Sequence, residues 1–359
     1  MIIGAIMNGM MRIGMMQTGR RTYINMKIFR FTLVMALVFT VSPLFAQRTI
    51  TIKMASQVPE NTPWGLFFNQ IAADWKRITN NEVELIVYHN GTAGNEEAVV
   101  RNLRLNQLQA AVLSTFGLTE VTPEAMTLSC PFFIRNDDEL DLVMGEIKEE
   151  LEEKINAKGF YTLAWSRVGW VKIFSKSPVY VPADLKKMKL GTYGDHEKLN
   201  QAFKTMGFQM VPVAHGEILI ALNSPMVDAV YQSPVAVGST QAFGFAKNMA
   251  SINVASFMGA IILNRRAWNS IPDKYKGQLI EATRRREVEL DAVVRKFEED
   301  MITTMSNYGL KVNQLSAEQE QLWYDEMEKA MPGMLGTVFD RGLYNRIGAV
   351  LRDYRNRRR

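Results

Sequence analysis

Between Pro272 and Tyr308 the chain carries no further proline and only one glycine, Gly277, while Leu279, Val288, Val293, Val294, Phe297 and Met301 recur along it. Proline and glycine are the residues that break helices, so this run predicts one uninterrupted helix. At about 1.5 Å per residue the helix is on the order of 50 Å long. A single α/β lobe does not need a helix of that length to cover it. The helix therefore reads as a brace laid along two bodies, and the rest of the sequence has to supply both.

The 359 residues suffice for two such bodies. ITIKMA (50–55) and VELIVYH (83–89) have the alternation and β-branching of strands. Thr62 is placed to cap a helix and Pro63 suits its first turn. Trp64, Phe67, Phe68, Ile71, Trp75 and Ile78 then form one apolar stripe at helical spacing. Asn95 can cap the helix EEAVVRNLRL, AAVLST (110–115) reads as a short buried strand, and the charged helix EIKEELEEKINAKG ends at Gly159. YTLAW (161–165) is expected to cross to the second body. There MKLGT (188–192), the helix EKLNQAFKTMG and FQMVPV (208–213) make a βαβ unit, followed by the strand VDAVYQ (227–232), whose Asp228 is expected to be structural. MGAIILN (258–264) returns to the first body. After the brace, Ser316 and Gln319 form a capping box for a helix that Pro332-Gly333 closes, and a last helix runs from about 335. Strands alternating with helices imply parallel sheets covered on both faces.

The formal charge of +5 is an N-terminal property. Residues 1–46 hold Arg12, Arg20, Arg21, Lys27 and Arg30 and no acid, so 47–359 carries no net formal charge. A nucleic-acid partner, which requires a basic face, is not indicated. The tail RDYRNRRR, with five arginines after position 351, reads as a solvated, frayed helix end. Lys27 and Arg30 precede a mostly apolar run, Phe31 to Leu44, with small Ala46 ahead of Gln47. This is the pattern of a cleaved secretory signal peptide starting at Met26, an uncleaved anchor being the rival reading. The lone Cys130, in the apolar LSCPFF, cannot make an internal disulfide, and export without disulfides suits a bacterial periplasm.

Only His89, His196 and His215 are present, without HExxH spacing, a cysteine cluster, a GxSxG elbow or a GxxxxGK[ST] loop. No metal, cofactor or enzyme chemistry is indicated. The segment from Leu163 to Pro234 offers instead aromatic residues near strand ends and loops, the lining of a ligand cleft. Trp64, Trp165, Trp170, Tyr193 and Tyr231 are the candidate aromatic contacts, with Arg167, Thr192 and Gln232 as polar members. Trp64 and Trp165 suit the core equally well, because one opens a helix stripe and the other ends a strand.

Taken in order, IKMASQVPENTPWG, VELIVYHNGTAGNEE, LSCPFFIRNDDEL, VYVPADLKKMKLGTYG, GEILIALNSPMVDAV and LNRRAWNSIP resemble the solute-binding proteins of the TRAP family (tripartite ATP-independent periplasmic transporters). The likeness covers about 50–330. It implies a two-lobed α/β periplasmic-binding-protein fold, type II-like, with the long helix bracing both lobes. Lobe I would comprise 47–165 with 256–310, lobe II 166–255, and 311–359 the C-terminal helices. It also implies capture of a small solute, delivery to integral membrane permease subunits, and no covalent chemistry, with an accessory periplasmic protein as an optional further partner.

Departures from the family pattern bear on the ligand. The usual anchor is an arginine ending the segment that here reads PADLKKMKLG, where Gly191 stands; a second family arginine falls on Val171 in WSRVGWVK. A polar residue, often asparagine, is replaced by Ser233. Without a guanidinium fork to pair a carboxylate bidentately, the expected ligand is apolar or aromatic rather than a simple carboxylate, unless Arg167 substitutes as an anchor. The competing expectation is a periplasmic sensor or scaffold that keeps the fold and acts through a protein partner.

Overall fold

The computed structural model describes residues 49–193, 197–214 and 217–358; the signal-peptide segment with Met26, and His196 and His215, lie outside the described residues. β1 (Ile50–Ala55) lies between β2 (Val83–Tyr88) and β3 (Ala110–Ser114), all parallel. α1 (Pro63–Ile78) and α2 (Glu96–Arg104) connect them. The Thr62 hydroxyl accepts from Gly65 N at 3.2 Å and the Asn95 side chain from Ala98 N at 3.0 Å, so both caps form where the local sequence places them. Trp64, Phe67, Phe68, Ile71 and Trp75 are buried on one side of α1. α3 (Thr115–Thr119) leaves β3 directly, and α4 (Asp137–Ala157), capped by Asn136, starts earlier than its charged stretch suggests.

β4 (Phe160–Ser175) is 16 residues long, far beyond the five expected. The second lobe follows with α5 (Pro182–Leu185), β5 (Lys189–Tyr193), α6 (Glu197–Thr205), β6 (Gln209–Val213), α7 (Ile218–Asn223), β7 (Ala229–Gln232), α8 (Pro234–Ser239) and β8 (Asn248–Ala250). β9 (Ala255–Asn264), α9 (Arg265–Ser270), α10 (Asp273–Asn307), β10 (Lys311–Asn313), α11 (Ala317–Ala330) and α12 (Arg341–Arg357) complete the described chain. The sheet order is β2-β1-β3-β9-β4-β7-β5-β6, with β8 and β10 on a side branch. β4 pairs antiparallel with β9 from Phe160–Asn264 to Val171–Ala255 and with β7 from Lys172–Gln232 to Ser175–Ala229. One strand thus belongs to both lobes, and β9 runs beside it as the return. Asp228 holds the start of the second-lobe sheet by accepting from Lys189 N at 3.0 Å.

α10 spans 35 residues. Its Leu279, Leu290 and Val294 enter a first-lobe core with Trp64 and Trp75, and its Met305 enters a second-lobe core with Phe174 and Val237. The helix braces both lobes. Val288 and Val293, expected along its apolar run, are 75% and 51% exposed; Thr283 and Glu298 occupy the packed face instead. The capping box of Ser316 and Gln319 opens α11, whose Trp323 is fully buried in the second-lobe core. α12 begins at Arg341 rather than near 335, because Asp340 caps it, and Leu343, Ile347 and Leu351 pack into the first lobe. The basic tail is not frayed: it is helical through Arg357, with Arg355 2.7 Å from buried Glu139 and Arg358 3.1 Å from Asp138. The acids of the first turn of α4 hold it. Among the described residues, no helix is long and apolar enough to cross a membrane.

Candidate functional site

Side chains alternate along β4, so the junction between the lobes has two unlike faces. Val171 and Ile173 enter the second-lobe core that includes Leu190 and Tyr231. Arg167, Trp170 and Lys172 line a cavity of about 440 Å³ with Asp137 of α4, Asn253, and Arg295 and Glu298 of α10. A register shift between Arg167 and Gly169 lets Arg167 and Trp170 share that side.

The cavity is charged and strongly cross-linked. Arg167 is 6% exposed. Its Nη1 lies 2.7 Å from Asp137, its Nη2 2.5 Å from Asp141 and its Nε 3.0 Å from Asp291. Arg295 meets the same three aspartates. Burial pushes the Asp291 carboxyl up, but hydrogen bonds from Arg295 and Arg167 outweigh it and hold it below the usual carboxylate range. Gly169 has φ +127°, and a Cβ there would sit 2.5 Å from Glu298 Oε2, so only glycine allows this approach. Glu298 accepts from Trp170 N at 3.1 Å. Burial pushes its carboxyl up to about 7, against the Trp170 N–H and the Lys172 charge. Lys172 donates to Ser251 O at 2.6 Å, and burial lowers its ammonium to about 8 with Glu298 opposing.

The other face meets the carboxyl ends of the parallel strands, where open α/β sheets bind ligands. At the end of β3, Ser114 N and Oγ donate to the two carboxylate oxygens of Glu96, the first residue of α2, at 2.5 and 2.6 Å. Gly117 makes room: a Cβ there would lie 2.7 Å from Glu96 Cδ. Thr115 Oγ1 donates to Met258 O at 3.0 Å and so pins α3 to β9. The next residue, Phe116, meets Phe257 of β9 with ring centroids 5.2 Å apart, and both half-buried rings pack against the second-lobe core. In the second lobe, β5 ends at Tyr193 and β7 at Gln232. Ser233 turns its hydroxyl inward to cap α8, accepting from Ala236 N at 3.2 Å.

The candidate residues named from sequence divide across the sheet. Trp64 and Trp165 are core residues: Trp64 Nε1 donates to Arg167 O at 3.0 Å and Trp165 Nε1 to Glu152 at 2.9 Å. Arg167 and Trp170 meet in the cavity beside α10, where Trp170 Nε1 donates to Asp137 at 2.8 Å. Thr192, two residues on from Leu190, is buried on the opposite, Val171 side. Tyr231 lies there too, edge-on to Phe203 at 5.2 Å, and burial pushes its phenol well above the usual range. Gln232 is half-buried opposite Lys172, and the side chain of Tyr193 lies outside the described residues. At Gly191 a Cβ would meet Val227 Cγ1 at 3.1 Å.

Sequence reasoning did not single out Glu96, Phe116, Phe257, Lys172 or Glu298. Lys172 was readable as one cation in an apolar strand, WVKIFS, and Glu298 as one acid on the stripe of Val294 and Met301. Phe116 and Phe257 come from distant segments and carry no local signal. Among the described residues no grouping of His, Cys, Asp and Glu could hold a metal ion. His89 stands with Nε2 3.0 Å from the Asn69 amide oxygen.

Two α/β lobes sharing strands, with a helix bracing both, have the architecture of the two-lobed solute-binding proteins. The family DctP, "Bacterial extracellular solute-binding protein, family 7", matches residues 54–335, and the chain belongs to it. The 2,3-diketo-L-gulonate-binding periplasmic protein YiaO of Escherichia coli K12 is 22% identical over 236 residues, covering 65% of this chain and 72% of that one. A TRAP periplasmic solute-binding protein from Sulfurospirillum deleyianum, solved with bound succinate, superposes with a TM-score of 0.74 at 25% identity, over 84% of this chain and 98% of its own. One from Chromohalobacter salexigens, solved with bound D-glucuronate, gives a TM-score of 0.76 at 19% identity, over 83% and 99%. The family is periplasmic, and its members bind small solutes and work with TRAP permease subunits in the membrane.

Proposed function

We propose that this chain is exported by a cleaved signal peptide and captures a small, apolar or aromatic solute without a carboxylate anchor, which it delivers to a TRAP-type membrane permease. The observation that carries the reading is the state of the arginine positions. Val171 is buried in the second-lobe core, and at Gly191 a Cβ would meet Val227 Cγ1 at 3.1 Å, so a side chain there needs Val227 to give by a few tenths of an ångström. Arg167, the substitute, faces three aspartates and lies on the other side of β4. Phe116 and Phe257 supply an apolar wall at the edge where a ligand would lie. An unpaired carboxylate brought there would lose its water without gaining a fork.

The proposed lobes are 47–165 with 256–310, and 166–255, with 311–359 behind them. The change of β4 from β9 to β7 supports this division and moves its hinge to Val171–Lys172. A second reading, an organic-acid ligand, is favoured by the succinate and D-glucuronate in the two solved neighbours. Thermal shift of residues 47–359 against neutral aromatic compounds and organic acids separates the two. A ligand at a hundred times its Kd stabilises by about 2.7 kcal/mol, so neutral compounds should raise Tm and acids leave it unchanged. The reverse pattern overturns the apolar reading in favour of the acid.

A further inference from the structure

We propose that the buried Glu298 and Lys172 form an electrostatic tie behind the hinge, which opposes closure of the lobes and is released when Glu298 takes up a proton or Lys172 loses one. This role rests on the solute-binding reading, in which the lobes close on a ligand at the Val171 face of β4. The two charges stand on either side of the point where β4 changes partner. Trp170, whose N–H donates to Glu298 at 3.1 Å, still pairs with Ser256 of β9. Lys172 pairs with Gln232 of β7, and its ammonium donates at 2.6 Å to Ser251 O, in the segment that follows β8. Glu298 is thus carried by the brace and the first-lobe part of the strand, and Lys172 by the second-lobe part. Both are buried and both line the cavity of about 440 Å³. The other charged groups facing Glu298 are Arg167 of β4, Asp137 and Asp138 of α4, and Arg295 and Glu299 of its own helix; Asn253, ahead of β9, is uncharged. Arg167 and Arg295 are matched by their three aspartates and Asp138 by Arg358, while Glu299 is exposed. Glu298 and Lys172 are left to answer each other, and each steadies the ionised form of the other, with Glu320 of α11 adding to the field at Lys172. Val171, between Trp170 and Lys172, points into the second-lobe core, so the tie and the proposed cleft lie on opposite faces of one strand. A rotation about Val171–Lys172 that narrows the cleft widens the cavity. Attraction across the cavity therefore favours the open arrangement, and its loss favours the closed one. Burial pushes Glu298 up to about 7 and Lys172 down to about 8, so the tie is whole between those values: below them the acid is neutral, and above them the amine is.

Pulsed electron spin resonance on residues 47–359, dialysed free of small molecules, reads the lobe separation with no solute added. Nitroxides at Arg101→Cys of α2 and Lys204→Cys of α6 occupy one exposed site on each lobe, and buried Cys130 takes no label. The doubly charged pair makes up about half of the molecules at pH 7.5 and under about a tenth at pH 5.5 or 9.5. The fraction at the longer distance should follow it, with a maximum between pH 7 and 8. Glu298→Gln, which cannot ionise, should abolish the maximum. Lys172→Arg, whose guanidinium stays charged, should keep the fall toward acid and lose the fall toward alkali. A wild-type separation that does not change with pH, a longer one at pH 5.5 than at 7.5, or an unchanged profile in Glu298→Gln overturns the tie. The wild-type profile decides even where a variant does not fold. Because no solute is present, these results leave the solute-binding reading intact; that reading falls instead if no compound raises Tm and none co-purifies with the protein.

Discussion

Arg167 shows how a residue of ligand-binding type becomes a structural tie. Its side chain is 5% exposed while its three aspartates are 35%, 57% and 41% exposed, so the pairing lies at the mouth of the cavity rather than deep within it. Removing one partner of a buried pair costs several kcal/mol, and the partial solvation of the acids favours the lower end. Arg167→Ala should cost about 3 kcal/mol in chemical denaturation while changing the ligand affinity of the folded protein less than threefold. Glu298 makes a pH-dependent contribution with the opposite sense to that of an ordinary ion-paired acid. Its folded carboxyl titrates near 7, above the 4.5 of an unperturbed glutamate, so between those values the native state holds a proton that the unfolded chain has released. Stability therefore falls as pH rises from about 4.5 to 7, by on the order of 3 kcal/mol from this group. Lys172, depressed by burial to about 8, loses stability in the other direction as pH falls from its ordinary value through 8. Glu298→Gln keeps an acceptor for Trp170 N and should flatten the stability profile between pH 4.5 and 7; an unchanged slope contradicts the assignment.

At the scale of elements the long helix was legible, because the absence of proline and the paucity of glycine constrain the backbone whatever the helix packs against. Which of its side chains face inward was not legible. Val288 and Val293 point to solvent, and Glu298 is buried because Gly169 opens a gap for it on another strand. The caps at Thr62, Asn95 and Ser316 were readable for the converse reason: each is satisfied within three residues. The full length of β4 was hidden because its second half changes partner, from β9 to β7 and β8. The candidate site suffered most. Aromatic residues near strand ends look alike in sequence whether they enter the core, as Trp165 does, or stay half-buried beside another ring, as Phe116 does against Phe257. Along α10, Val294→Ala should cost about 2 kcal/mol by opening a cavity beside Trp64, and Val288→Ala should stay within about 0.5 kcal/mol. Equal effects in urea denaturation contradict the packed face described for the helix.

For the whole molecule, β4 and β9 make the two-lobed shape possible, and α10 with its aspartate–arginine web ties the crossing strand to the first lobe and to the brace. Arg167, Lys172 and Arg295 sit where they hold the frame, and Val171 and Gly191 carry no charge, which is the ground for proposing a ligand without a carboxylate. Mass spectrometry of whatever co-purifies with gently isolated residues 47–359, extracted into aqueous and organic phases beside an unrelated control, tests this most directly. An enriched compound with an apolar body and no carboxylate is the predicted result. Enrichment of an organic acid such as succinate or glucuronate contradicts it.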